Sequence, residues 1–201
     1  MSLKTKVLIS SVTNLSDARY ATGMGVDYVG FSMNEGDPDF IGYTNYTAIT
    51  TWLQDMEFAG ESSANTSIDN MINRAEEFGF KTIITPDNTL VNELKANNYT
   101  VILKKNIENT SEIDVLTELT TSADFVLVES TNNLILSIED IQKISEKLPL
   151  LIGTLVSPES INELIEKTDM EGIGLKGSEE IRTGFVDLDA MADILEAIEI
   201  D

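Results

Sequence analysis

Short runs rich in β-branched residues recur along this chain at spacings too long for hairpins. They are VLISSV from Val7, YVGFSM from Tyr28, EFAGE from Glu57, TIIT from Thr82, YTVILKK from Tyr99, DFVLVES from Asp124, LLIGTL from Leu150 and GIGLK from Gly172. Strands with so little polar alternation are those of a parallel sheet covered on both faces, and parallel neighbours need a crossover, usually a helix. The segments between the runs have helical period: Ile68, Met71, Ile72, Ala75 and Phe78 share one helix face, as do Leu188, Met191, Ala192, Leu195 and Ile198. Eight such βα units most simply close into an α/β fold of the (β/α)8 barrel type, one domain over residues 1–201. An open doubly wound sheet is the competing arrangement, and EFAGE is the weakest of the eight strands.

Helix boundaries are written into the same stretches. Ser157 stands as an N-cap with Pro158 at the first helical position and Glu159 behind it, and Ser137 precedes IEDIQKISEKL. Gly25 and Gly79 sit where a helix ends in a left-handed residue.

Charge and residue usage narrow the chemistry. The formal net charge is -22 and the acidic residues are spread along the chain, so nucleic acid and membrane surfaces are not expected partners. A small anionic metabolite is still accommodated, because backbone N–H groups make local positive sites inside a negative field. With no Cys and no His, disulfides, thiolate nucleophiles, imidazole bases and Cys/His metal sites are excluded, leaving Asp, Glu, Lys or Tyr for acid–base work. No apolar run reaches the ~18 residues of a membrane span and the opening MSLKTKVLISS lacks a signal-peptide core, which points to a cytoplasmic protein. No cofactor and no metal is expected; Glu35, Asp37 and Asp39 form an acidic loop that reads as solvated charge. Tyr43, Tyr46 and Trp52 read as helix packing.

The stretch TNLSDARYATGMGVDYVGFSM, from Thr13 to Met33, resembles the first βαβ unit of the phosphoribosylanthranilate isomerase family, with Thr13, Asp17, Ala18, Gly25, Asp27, Gly30 and Phe31 in that family's places. The C-terminal GIGLKGSEEIRTGFVDLDAMADILEAI is similar to the family's last unit at Glu180, Gly184 and Asp187, and LLIGTLVSPESI to its seventh strand and following helix. Taken singly these residues also serve ordinary helix–strand packing; their order and spacing carry the resemblance.

The resemblance implies an Amadori rearrangement, in which an acid opens the ribose ring and a base removes the C2' proton of the resulting imine. It places the base at Ser10, where the family has Cys, and a hydroxyl without a neighbouring base does not accept that proton. Ser11 stands where the family has Gly. The acid falls on Glu129, whose alternative is a solvated strand-end carboxylate. The family's substrate-binding Arg corresponds to Asp39 in the stretch Asp37, Pro38, Asp39, Phe40, and an Asp repels the anthranilate carboxylate that Arg would hold.

In such barrels the loops after strands seven and eight, with the N-terminus of a short extra helix, cradle a phosphate. The corresponding residues are Gly153, Thr154, Lys176, Gly177 and Ser178, ahead of SEEIR, while STNNLILS replaces the glycine-rich stretch the family has after strand six. The sequence is therefore read as an isomerase of this type, impaired or altered in activity, monomeric or homodimeric, and acting on a small phosphorylated metabolite. The alternative is a barrel that binds such a metabolite, or serves structurally, without catalysis. A carboxylate or Lys from elsewhere reaching the mouth of strand one would decide between them.

Overall fold

The computed structural model describes residues 2–53, 56–130, 134–153, 156–178, 180–182 and 185–200. Eight parallel strands close into a barrel: β1 Lys6–Ser10, β2 Tyr28–Ser32, β3 Glu57–Glu61, β4 Thr82–Thr85, β5 Thr100–Ile107, β6 Phe125–Ser130, β7 Leu150–Gly153 and β8 Gly172–Lys176. The helices α1 Leu15–Met24, α2 Gly42–Thr50, α3 Ile68–Phe78, α4 Val91–Ala96, α5 Glu112–Thr117, α6 Ile138–Ser145, α7 Ile161–Lys167 and α8 Asp189–Ala197 alternate with them. Closure is made by β8 against β1, with Lys6 opposite Gly172 and Ser10 opposite Lys176. EFAGE is β3, paired along its length with β2, so the run that looked weakest completes the barrel.

Period-two alternation sorts each strand into two faces. One face points out to the helices and joins the large apolar layer that contains Val7, Ile9, Val29, Phe31, Val126 and Val128. The other points into the barrel, where Leu8, Ala59, Ile84, Ile102, Leu127 and Leu151 form a separate buried cluster. Tyr28 and Phe125, at the starts of β2 and β6, pack on that cluster edge to face with ring centroids 6.0 Å apart. The barrel is thus filled from its N-terminal end, and the inward residues two places further along each strand form the C-terminal mouth.

Local signals behave as expected in most places. Asn14, Ser67 and Ser137 cap α1, α3 and α6 with their side chains, Ser137 in a capping box with Asp140. Gly25 and Gly79 end α1 and α3 with φ of 75° and 79°. Asp27 accepts the amide of Val7 at 2.8 Å, which assigns it to tying β2 to β1. Asp124 does the same for Val101 at 2.8 Å between β6 and β5.

Three local expectations are corrected. The α7 helix begins at Ile161; Ser157, Pro158 and Glu159 make a preceding turn in which the Ser157 carbonyl accepts the amides of Ser160 and Ile161 at 3.1 and 3.0 Å. The SEEIR segment supplies a strand, β9 Glu180–Arg182, paired antiparallel with β10 Phe185–Val186, so a strand pair stands where a short helix was sought. Tyr46 is buried among Phe31, Phe58, Phe78 and Phe80, and Tyr43 leans on Phe78, but Trp52 is 75% exposed and takes no part in that packing. Burial of Tyr46 pushes its phenol up to about 12. No described helix is long and apolar enough to cross a membrane.

Candidate functional site

The inward positions at the strand ends are Ser10, Ser32, Glu61, Lys104, Glu129, Gly153 and Lys176, each two residues beyond an inward residue of the barrel interior. Ser10, Glu129, Gly153 and Lys176 were singled out from sequence; Glu61 and Lys104 were not. Next to them opens a pocket of about 510 Å³ lined by Ser11, Asp37, Asp39, Glu61, Lys104 and Lys105 among others. It covers the ends of β1 to β5. Among the described residues, the candidate phosphate ligands Gly153, Lys176, Gly177 and Ser178 are not part of its lining. Thr154 and Gly184 lie outside the described residues.

Glu61 is held where a side chain on the neighbouring strand would have excluded it. Gly30 of β2 has no side chain, and a Cβ there would collide with the Glu61 carboxylate, so the glycine leaves the lane through which this side chain crosses toward β1. At the far end Glu61 Oε1 accepts the backbone N–H of Ser11 at 2.5 Å. Burial pushes the Glu61 carboxyl up; the Ser11 amide and the Lys104 ammonium pull it back, while Glu129 and Asp39 push it further in the same upward direction.

Ser11 makes that bond from a left-handed backbone, φ 54°, a region that favours glycine. Left-handed backbone at a non-glycine residue costs ~1–3 kcal/mol, and glycine recovers part of it against its own entropy in the unfolded chain. Ser11→Gly is therefore expected to raise stability by about 1 kcal/mol, read as a higher melting temperature by calorimetry. An unchanged or lower melting temperature would show that the conformation carries no such cost.

Glu129 reaches the mouth from β6 and its Oε2 lies 2.8 Å from Lys104 Nζ of β5. Gly153 makes room for it in the way Gly30 does for Glu61: a Cβ on Gly153 would sit 2.8 Å from Glu129 Cγ. The ion pair is half-screened, with side-chain exposures of 26% for Lys104 and 18% for Glu129. Lys105 also lines the pocket, its Nζ donating to the Pro86 carbonyl at 3.0 Å.

Ser10 is 2% exposed and donates its hydroxyl to the Leu175 carbonyl at 3.2 Å. The loop after β8 is fastened to the same corner. Gly177 N–H donates to the Ser10 carbonyl at 2.7 Å, and Ser178 N–H to Asp17 Oδ2 at 2.7 Å. Asp17 is fully buried near the start of α1; burial raises its carboxyl against bonds from Ser178 and Asn14, and its Oδ1 has no hydrogen-bond partner among the described residues. Both loop amides are committed inside the fold.

The opposite wall is acidic. Asp37 accepts hydroxyl bonds from Ser63 at 2.7 Å and Ser32 at 2.8 Å and an amide bond from Asn34 at 3.2 Å. Burial opposes its charge, but these donors outweigh that and hold it below the usual carboxylate value. Asp39 lines the pocket beside it. No group of three or more Asp or Glu suited to a metal ion occurs among the described residues.

No known family model and no curated protein matches the chain in sequence. Solved structures match it in shape. The phosphoribosyl anthranilate isomerase of Thermotoga maritima superposes with a TM-score of 0.77 at 17% identity, over 96% of this chain and 98% of that one. The corresponding Pyrococcus furiosus isomerase gives 0.74 at 16% identity, over 96% and 98%. A further such isomerase, in complex with reduced 1-(o-carboxyphenylamino)-1-deoxyribulose 5-phosphate, gives 0.77 at 17%, again over 96% and 98%. Likeness at this level of identity establishes a shared (β/α)8 barrel fold.

Proposed function

We propose that this chain is a divergent barrel of the phosphoribosylanthranilate isomerase type, cytoplasmic and altered in specificity, that rearranges a phosphorylated sugar amine whose nitrogen substituent carries no anionic group. The observation that carries the reading is the acid-lined mouth. Glu129 stands at the end of β6, where the resemblance puts the acid, while Asp37 and Asp39 form the wall where it puts a cation. Two carboxylates facing an anthranilate carboxylate repel it, and repulsion of this kind discriminates more sharply than a lost attraction. A neutral or cationic substituent meets no such opposition.

The proton that opens the sugar ring comes from the Lys104–Glu129 pair. The phosphate sits against the ends of β7 and β8, where Lys176 brings charge. With the Gly177 and Ser178 amides committed to Ser10 and Asp17, this anion site leans on Lys176.

A second reading, a barrel that binds such a metabolite without turning it over, is favoured by Ser10, whose hydroxyl is bonded to Leu175 and takes no proton. The test is the fluorescence assay for isomerisation of phosphoribosylanthranilate. The native chain is expected to show no turnover and the Ser10→Cys, Asp39→Arg double variant to gain it. Native turnover would overturn the proposed exclusion of the carboxylate. Absence of turnover in both, with no binding of a phosphorylated sugar amine, would overturn the isomerase reading.

A further inference from the structure

The corner of the mouth next to Ser10 is occupied by a carboxylate from two strands away. Glu61 crosses the gap that Gly30 leaves in β2 and fastens to Ser11, the residue following Ser10, and it lines the same pocket as Lys104. We infer that Glu61 is the general base of this site, the group that takes the proton from the sugar carbon adjacent to the imine. The inference rests on the functional reading given above and supplies the proton acceptor it lacks.

The transfer balances with no further reactant. Ionised Glu61 takes the C2' proton of the ring-opened iminium. The C–H electron pair becomes the C1'=C2' double bond, and the C=N π pair returns to nitrogen as a lone pair. The enolamine reverts to the ketone when protonated Glu61 gives its proton to C1' and the 2'-hydroxyl loses one to solvent, which restores the carboxylate. One carboxylate serving two adjacent carbons in turn must stay fixed while the proton moves, and the Ser11 amide provides that anchor.

Charge around Glu61 suits the task. Lys104 from β5 favours its ionised form, and Glu129 from β6 and Asp39 from the loop after β2 oppose it. Burial outweighs the favourable contacts and raises the carboxyl, which makes its carboxylate a stronger proton acceptor than that of an exposed glutamate. Glu129, paired with Lys104, lies three strands further round the barrel and is left for the ring-opening step on the other side of the sugar.

The experiment runs the reaction from the ketone side. The probes are 1-amino-1-deoxyribulose 5-phosphates with an alkyl or unsubstituted aryl group on nitrogen; binding is followed by calorimetry and loss of the C1' protons into D2O by NMR. Native protein is expected to bind at least one probe and to wash out its C1' protons. Glu61→Gln is expected to keep the binding and lose washout by ~10²- to 10⁴-fold, the usual worth of a positioned acid or base. Glu61→Asp should retain an intermediate rate, which guards against a folding defect in the amide variant, and Glu76→Gln on the exposed face of α3 should match the native rate. Native-like washout by Glu61→Gln, or binding of a probe by the native protein with no washout, would overturn the assignment of Glu61 alone. Failure of every probe to bind would overturn the functional reading and this assignment with it.

Discussion

Alanine in place of Gly172 is expected to lower the unfolding free energy by about 3 kcal/mol, the upper part of the range for overpacking a rigid site. Gly172 begins β8 opposite Lys6 of β1, at the seam where the barrel closes. A Cβ there would lie 2.8 Å from both the carbonyl carbon and the Cβ of Lys6, and closer still to its carbonyl oxygen. Backbone cannot swing aside as a side-chain tip does, so β1 and β8 must separate, and the ladder between them carries five paired positions. At about 2–4 °C per kcal/mol for a chain of this size, the melting temperature should fall by roughly 6–12 °C. A fall of less than about 2 °C would mean the seam yields freely.

The second large effect concerns pH. Glu61 and Asp17 both have carboxyls raised by burial in the folded protein. A raised group favours the fold fully at pH values below its unfolded value, ~3.9–4.3 for Asp and Glu, and that contribution is lost as pH rises through its folded value. Asp37 works the other way: its carboxyl is lowered, so its contribution is present above the unfolded value and lost only in stronger acid. Lowering the pH from about 8 towards 5 also reduces the self-repulsion of a chain with net charge -22. The melting temperature should therefore climb through that interval and turn down below about pH 4. Glu61→Gln, which removes one of the two carboxyls raised by burial, should be more stable than native at pH 8 and climb less steeply on acidification. A flat or falling melting temperature between pH 8 and 5 would show that neither carboxyl is strained in the fold. A stability gain beside lost proton transfer is what separates a group kept for chemistry from one kept for structure.

The barrel was legible because its evidence is distributed: eight apolar runs, helical period between them and caps at Ser137, Gly25 and Gly79 all require the same alternation. The mouth was legible where a family position pointed to it, as at Ser10, Glu129 and Asp39. Glu61 escaped because it ends EFAGE, the weakest of the eight strand candidates, and no position of the resemblance pointed to it. The signal was nonetheless there: Glu61 is in phase with Ala59, and Lys104 with Ile102, so both belong to the inward face of their strands. What no local pattern reveals is the space each needs, since Gly30 lies 31 positions before Glu61 and becomes its neighbour only through strand pairing. The start of α7 was misplaced because Ser-Pro-Glu suits a turn and a helix start equally, and here Ser157 closes a turn onto Ser160 before the helix begins.

The separation of the apolar residues into a thick outer layer and a small inner plug bears on how such a chain changes over generations. The outer layer asks only for apolar volume, which many side chains supply with little loss. The plug lies beneath the mouth, and the apolar layer that holds helices to strands is a separate cluster. Drift can thus replace most of the sequence while the backbone path persists, and a handful of exchanges at strand ends can retarget the chemistry without a detour through an unfolded ancestor. The barrel shape is held in common with known isomerases at 17% identity and a TM-score of 0.77.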